Sequence, residues 1–254
     1  MSNNLRGKVA LITGGSKGIG FAIAQALASQ GCALRLVARN AASLEEAQAQ
    51  ITKEHGVEVL IRAEDLSLPD RAAAVGAAFP ETQILVNCAG AIARGSLMEI
   101  DPDAFRRAFD GKVMSTIMLT RALYPHMCKR QEGVVINIIG IAGERLNPKS
   151  IGTTTANAAL IAFTKALGAE SVDHGVRVVG INPGLIRTGR TAGLLNPKTE
   201  QDRTAYAALL KNLPYGRMGE PQEVANVAIF LASDAAKYVS GDVVSVDAGS
   251  RYRT

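Results

Sequence analysis

The stretch VALITGGSKGIG, residues 9 to 20, constrains this chain more than any other. A short β-branched apolar run ends in a cluster of glycines, and FAIAQALASQG, residues 21 to 31, then carries the apolar spacing of a helix that stops at Gly31. Gly14, Gly18 and Gly20 permit a tight strand-to-helix turn and a close approach to the backbone. The helix start offers free N–H groups and the positive end of a dipole, which suits a phosphate. A glycine pattern alone also reads as a plain tight turn. Flanked by strand and helix, it predicts a dinucleotide pyrophosphate held by Gly14, Ser16, Lys17, Gly18, Ile19 and Gly20.

The same alternation continues along the chain. Apolar runs recur at 34 to 38 (LRLVA), 57 to 61 (VEVLI), 84 to 87 (ILVN), 134 to 138 (VVINI), 176 to 181 (VRVVGI) and 243 to 246 (VVSV), with Ala-rich amphipathic stretches between them. Several runs are apolar on both faces, as in a sheet covered on both sides. Strand and helix in alternation imply parallel pairing through crossover helices. The predicted fold class is therefore α/β, one Rossmann-type doubly wound sheet of about seven parallel strands with helices on both faces. No linker, repeat or low-complexity tract divides residues 1 to 254, so a single domain is expected.

Composition narrows the function classes. With 47% hydrophobic and 20% charged residues the chain can bury a large core. The net charge of +5 is modest and scattered, which reads as a solvated surface and points away from nucleic acid or membrane as partner. Cys32, Cys88 and Cys128 lie far apart without metal-ligand or redox spacing, so neither a metal site nor a disulfide framework is expected. The start MSNNLRGK has no apolar signal core, and no run reaches the ~20 apolar residues that span a bilayer. A cytoplasmic setting is expected.

The spacing Gly14-x-x-x-Gly18-x-Gly20 after Thr13 resembles that of the short-chain dehydrogenase/reductase family, and the resemblance runs nearly end to end. Asn87-Cys88-Ala89-Gly90 is similar to the family's N-x-A-G element, which supports the sheet near the cofactor. Asp65-Leu66 is similar to its Asp-hydrophobic pair at the adenine. INPGLIRT at 181 to 188 resembles the Pro-Gly loop beside the nicotinamide, and FLASDAAKYVSGDVVSVDAG at 230 to 249 resembles the last helix and strand. The resemblance implies cofactor contacts from Asp65, Leu66, Asn87, Ala89, Gly90, Pro183, Gly184, Ile186 and Thr188. It also implies a variable region at 189 to 216 that covers a small-molecule substrate, and a homo-oligomer, tetramer or dimer, built through the long helices and last strand.

Charge selects the cofactor. An acid at the end of the second strand would hold the ribose hydroxyls of NAD and repel a 2′-phosphate. Here Ala38 is followed by Arg39, with Lys17 in the glycine loop, so NADP(H) is expected over NAD(H).

The family's proton machinery is another matter. Its tyrosine supplies a proton, a lysine one helical turn later lowers the tyrosine pKa, a serine after the fifth strand bonds the substrate oxygen, and a helix asparagine completes a water-linked relay. Residue by residue, the serine position is Gly140, the tyrosine position Thr153, the lysine position Asn157 and the asparagine position Lys112. All four are substituted. An aliphatic hydroxyl does not titrate usefully, so Thr153 is a poor acid. The exchange of Asn for Lys112 and of Lys for Asn157 suggests that Lys112 returns a positive charge from the opposite helix; equally, it could run out to solvent or pair with Asp110. Tyr215, beside the variable region, could enter the cleft or pack on its loop. Three readings follow: an NADP(H) oxidoreductase on a small carbonyl or alcohol with atypical proton delivery, an inactive NADP(H)-binding sensor or partner subunit, and a non-redox lyase or isomerase.

Overall fold

Seven apolar runs form the strands β1 (Val9–Thr13), β2 (Ala33–Ala38), β3 (Val59–Ala63), β4 (Ile84–Asn87), β5 (Gly133–Ile138), β6 (Val176–Pro183) and β7 (Val243–Val246). The computed structural model describes residues 5–90, 95–191 and 199–253. All neighbouring strands pair in parallel, in the order β3-β2-β1-β4-β5-β6-β7. The helices are α1 (Gly18–Ser29), α2 (Ala41–His55), α3 (Arg71–Ala78), α4 (Pro102–Phe109), α5 (Ser115–Arg130), α6 (Ile151–Glu170), α7 (Glu200–Asn212) and α8 (Pro221–Ala232). Among the described residues no helix is long and apolar enough to cross a membrane.

The period-two alternation of a strand explains why helices cover both faces. Ala10 and Ile12 of β1, with Ile84 and Val86 of β4, pack under Ile23 and Leu27 of α1 and Val224 and Ala228 of α8. Leu11 and Leu85, one residue out of phase, pack on the other face against Val75 of α3 and Leu119 and Leu123 of α5. The central strands β1 and β4 are apolar to both sides because each side has a helical layer to meet.

Local signals set several boundaries. Asn40 caps α2 by accepting the Ser43 N–H at 2.8 Å, and Gly56, left-handed at φ 66°, ends it. Asp101 caps α4 in the same way ahead of Pro102. Edge strand β3 begins two residues later than its apolar run suggests, because its register is set by pairing with β2, Leu34 opposite Val59. Between α4 and α5 the helix continues through one π-turn, Asp110–Met114. An inserted residue of this kind turns side chains off the regular helical face and recurs at functional sites.

Strand order reverses at β1, whose neighbours are β2 and β4, with Thr13 and Asn87 closing those two adjacent strands. Such a switch point is where open parallel sheets take ligands. Helix α6, which carries Thr153 and Asn157, is brought hard against the sheet at Gly168. A Cβ there would lie 2.4 Å from the Gly241 nitrogen and 2.6 Å from the Val178 oxygen. Backbone atoms cannot yield by that amount, so Gly168→Ala is expected to cost about 3 kcal/mol. Urea denaturation checks it; an unchanged midpoint would mean that α6 is free to lift.

Candidate active site

The site starts at the glycine turn. Gly14 (φ 66°) and Gly18 (φ 57°) are left-handed, and a Cβ on Gly20 would sit 2.3 Å from the Gly14 oxygen. Only glycine closes this turn. The Thr13 hydroxyl accepts N–H groups from both Cys88 and Ala89 at 3.0 Å, which ties the end of β1 to the loop after β4. Helix α1 opens with no side-chain cap and no acidic residue in its first turn. Its positive end is thus left for an anion, and the turn fits a dinucleotide pyrophosphate.

Lys17 and Arg39 are exposed beside this turn, and neither has a salt bridge among the described residues. Asp65, after β3, accepts the Ser67 hydroxyl at 2.7 Å and its N–H at 3.0 Å, which together hold its carboxyl below the usual range, with Arg39 adding to the effect. Leu66 packs into the α3/α5 layer. Asn87 is buried, and its amide donates to Thr120 Oγ1 of α5 at 3.1 Å and to Asn137 Oδ1 of β5 at 2.9 Å. The Ala89 nitrogen lies 3.2 Å from a Cβ placed on Gly14, so this loop abuts the glycine turn. The loop after β6 folds back over the glycine turn. Gly184 donates to Val246 at 3.0 Å, buried Ile186 bridges to Gly219, and Thr188 Cγ2 comes within 3.4 Å of where a Gly18 Cβ would be. Arg190, on the same loop, reaches the Gly90 carbonyl at 3.0 Å.

Gly140 has φ 121° and ψ 146°, a region open in practice to glycine alone. Asn157 on α6 donates its amide to the Gly140 carbonyl at 3.1 Å. That amide nitrogen also lies 3.1 Å from the position of any Gly140 Cβ. Asn157 is 2% exposed, yet its Oδ1 has no partner, and the same holds for the Thr154 hydroxyl one turn earlier on the helix. Thr153 is half-buried in the first turn of α6.

Lys112 sits in the π-turn, and its ammonium donates to the Ile139 carbonyl at 2.7 Å, at the end of β5. Its stem lies along Gly90, with Cγ 3.1 Å from a Cβ placed there. It neither runs out to solvent nor pairs with Asp110; of the two possibilities left open by the sequence, the inward one is found. Removal from water, with Arg190 second, pulls its pKa down to about 8, while Cys88 acts weakly the other way. The Cys88 thiol is itself pushed up to about 11 by burial.

Other sequence candidates fall outside the centre. Tyr215 is 85% exposed with φ 56°, so it neither enters the cleft nor packs on its loop. The variable region has residues 192–198 outside the described ones. Conversely, a polar chain not expected from the sequence supports Gly140. Its N–H donates to Asn182 Oδ1 at 3.2 Å, Asn182 donates to Glu144 at 2.9 Å, and Glu144 pairs with Arg251 at 3.3 Å. Asn182 lies within INPG, so that stretch was visible, but its partner was not. No group of His, Cys, Asp or Glu that could hold a metal ion occurs among the described residues.

Comparison with known proteins gives consistent matches. Residues 14–251 match the family described as enoyl-(acyl carrier protein) reductase. The chain is 34% identical to the 3-oxoacyl-(acyl-carrier-protein) reductase FabG of Chlamydia trachomatis, over 98% of this chain and 99% of that one. It is similar in structure to L-sorbose reductase from Gluconobacter frateurii, solved with NADPH and L-sorbose, with TM-score 0.93, 33% identity and full coverage of both chains. It is also similar to YwfH, an NADPH-dependent reductase involved in bacilysin biosynthesis, at TM-score 0.90 and 27% identity, covering 96% of this chain and 98% of that one.

The geometry at Gly140 makes a direct prediction. Gly140→Ser would force a side chain into the glycine-only region and against the Asn157 amide, costing about 1–3 kcal/mol. Gly140→Ala should lose a similar amount, since the penalty belongs to the Cβ. Denaturant midpoints report both; a serine variant as stable as the parent would show that the backbone here relaxes.

Proposed function

We propose a function from the premise that the chain belongs to the short-chain dehydrogenase/reductase family. It is an NADP(H)-dependent oxidoreductase that acts on a small carbonyl or alcohol, with a proton source other than tyrosine. One observation carries this reading: the glycine cradle is intact, and Lys17 and Arg39 stand beside it with no carboxylate at the end of β2. Two exposed cations without a salt bridge among the described residues attract a 2′-phosphate that an acid would repel. Similarity to an L-sorbose reductase solved with NADPH supports the same cofactor. Gly14, Gly18 and Gly20 admit the pyrophosphate, the first turn of α1 faces it, Arg39 and Lys17 take the 2′-phosphate, and Thr188 and Ile186 close the loop over it.

NADPH, when bound, supplies the hydride. The protein's part is to orient the carbonyl, to exclude water beneath the loop after β6, and to provide a proton at the oxygen. Gly140 offers no hydroxyl and Thr153 no useful acid, so that last task falls to another group.

A second reading, nucleotide binding without chemistry, is favoured by the Asn157 amide closing onto the Gly140 carbonyl where the family places reactive groups. Titration with NADPH and NADH, followed by a panel of small carbonyls, separates the two. The oxidoreductase reading expects NADPH to bind more tightly and to be consumed with at least one carbonyl; binding without consumption selects the second. Turnover of a compound with no change in nicotinamide absorbance would instead point to lyase or isomerase chemistry. Arg39→Glu should weaken NADPH binding about 10-fold to 100-fold and leave NADH little affected, by loss of a charged phosphate contact. Equal weakening of both would remove the 2′-phosphate from the argument.

A further inference from the structure

The oxidoreductase reading leaves its proton source unnamed, and the centre contains few groups able to fill the place. Residues 151 to 164 of α6 include no ionisable side chain. Cys88 holds its proton too tightly, its thiol being pushed up to about 11. Glu144 accepts from Asn182 and pairs with Arg251, so its carboxylate is engaged in supporting Gly140. Arg190 spends its guanidinium on the Gly90 carbonyl at 3.0 Å.

We infer that Lys112 is the proton donor of this site, its ammonium reaching from the π-turn across Gly90 to the end of β5 and there protonating the substrate's carbonyl oxygen. The inference rests on the oxidoreductase reading above. Three geometric facts carry it. The π-turn turns residue 112 inward rather than along a helix face. The Ile139 carbonyl takes only one of the three ammonium protons, at 2.7 Å, leaving two to give. On the next carbonyl along the chain, that of Gly140, hangs the Asn157 amide with its buried Oδ1 unpartnered. A buried acceptor without a partner is a place for a polar ligand atom or a bridging water. Lys112 and Asn157 thus hold the family's relay pair with donor and acceptor exchanged between the two helices.

The step balances. The carbonyl carbon receives the hydride with its electron pair, the C=O π pair moves to oxygen, and an O–H bond forms as one N–H bond of Lys112 breaks. The neutral amine left behind regains a proton from water. Burial favours that neutral state, and its pKa of about 8 lies near the operating range of a general acid. The charged or titratable groups acting on it are Arg190, from the loop after β6, and Cys88, from the end of β4. Asp110 lies on its own turn without pairing to it, and α6 contributes none.

The competing explanation is that Lys112 is a staple that fastens the π-turn to β5. Lys112→Arg keeps a cation and a donor for Ile139 but gives up no proton; Lys112→Met removes both. If Lys112 is the acid, both variants bind NADPH and both lose carbonyl reduction by about 100-fold to 10,000-fold. Reduction by the parent protein then falls as pH rises through about 8, and oxidation of the product alcohol, which needs the neutral amine, rises over the same interval. A staple alone predicts that Lys112→Arg restores the rate and the pH profile, which would overturn the assignment while leaving the oxidoreductase reading intact. A readout independent of turnover is the Cε resonance of Lys112 in protein labelled with carbon-13 lysine, identified by its absence from the Lys112→Met spectrum. A midpoint near 8 supports the assignment, and one among the ordinary surface lysines overturns it. Parent protein that consumes no NADPH with any carbonyl tested sinks the oxidoreductase reading itself, a result distinct from either.

Discussion

The fold and the site both depend on one close approach, the Gly14 carbonyl against Gly20. It lets α1 start immediately behind β1, so that the helix aims its uncapped first turn at the space above the sheet. The Thr13 hydroxyl then gathers the Cys88 and Ala89 amides and fixes how far β1 and β4 separate at the switch point. Every other element of the cleft is placed relative to that opening. The loop after β6 closes on Gly18 through Thr188, and the π-turn sends Lys112 along Gly90. A larger residue at Gly20 would therefore disturb more than phosphate binding.

The side chains around Gly140 depend on one another. Gly140 and Asn157 are mutually dependent: a side chain on the first would collide with the amide of the second, and that amide in turn accounts for the Gly140 carbonyl. Asn182 and Glu144 secure the other side of the same residue through its N–H. A tyrosine and a lysine introduced at 153 and 157 would meet a backbone already committed to glycine geometry and an amide network built around it. Pairwise coupling, not additivity, is the expected rule among these positions.

Much of the fold was legible because its signals are local. The β-branched runs, the glycine turn and the Gly-terminated helices specify strands and helices without reference to distant contacts, and seven strands fell close to their runs. Only β3 slid by two residues, since an edge strand takes its register from a neighbour. The helix that carries Thr153 and Asn157 was legible through the unbroken apolar spacing of its sequence. What those residues do was not. The φ of Gly140, the direction of the Asn157 amide and the burial of Asn87 inside the sheet are set by partners fifteen to fifty residues away in sequence. The π-turn was invisible as well, because its residues DGKVM have no pattern that separates one extra backbone step from an ordinary helix.

That hidden turn bears on why a lysine stands at 112 at all. Holding the π-turn to β5 needs one hydrogen-bond donor for the Ile139 carbonyl, and a neutral amide would serve without charge. An ammonium removed from water, with no carboxylate beside it and a guanidinium nearby, is the more costly way to fill that position. Local choices that run against stability concentrate where chemistry needs them. The unpaired Asn157 oxygen is a second such choice, since a buried acceptor without a partner costs free energy. Two polar groups are thus kept at a cost, one able to donate and one able to accept.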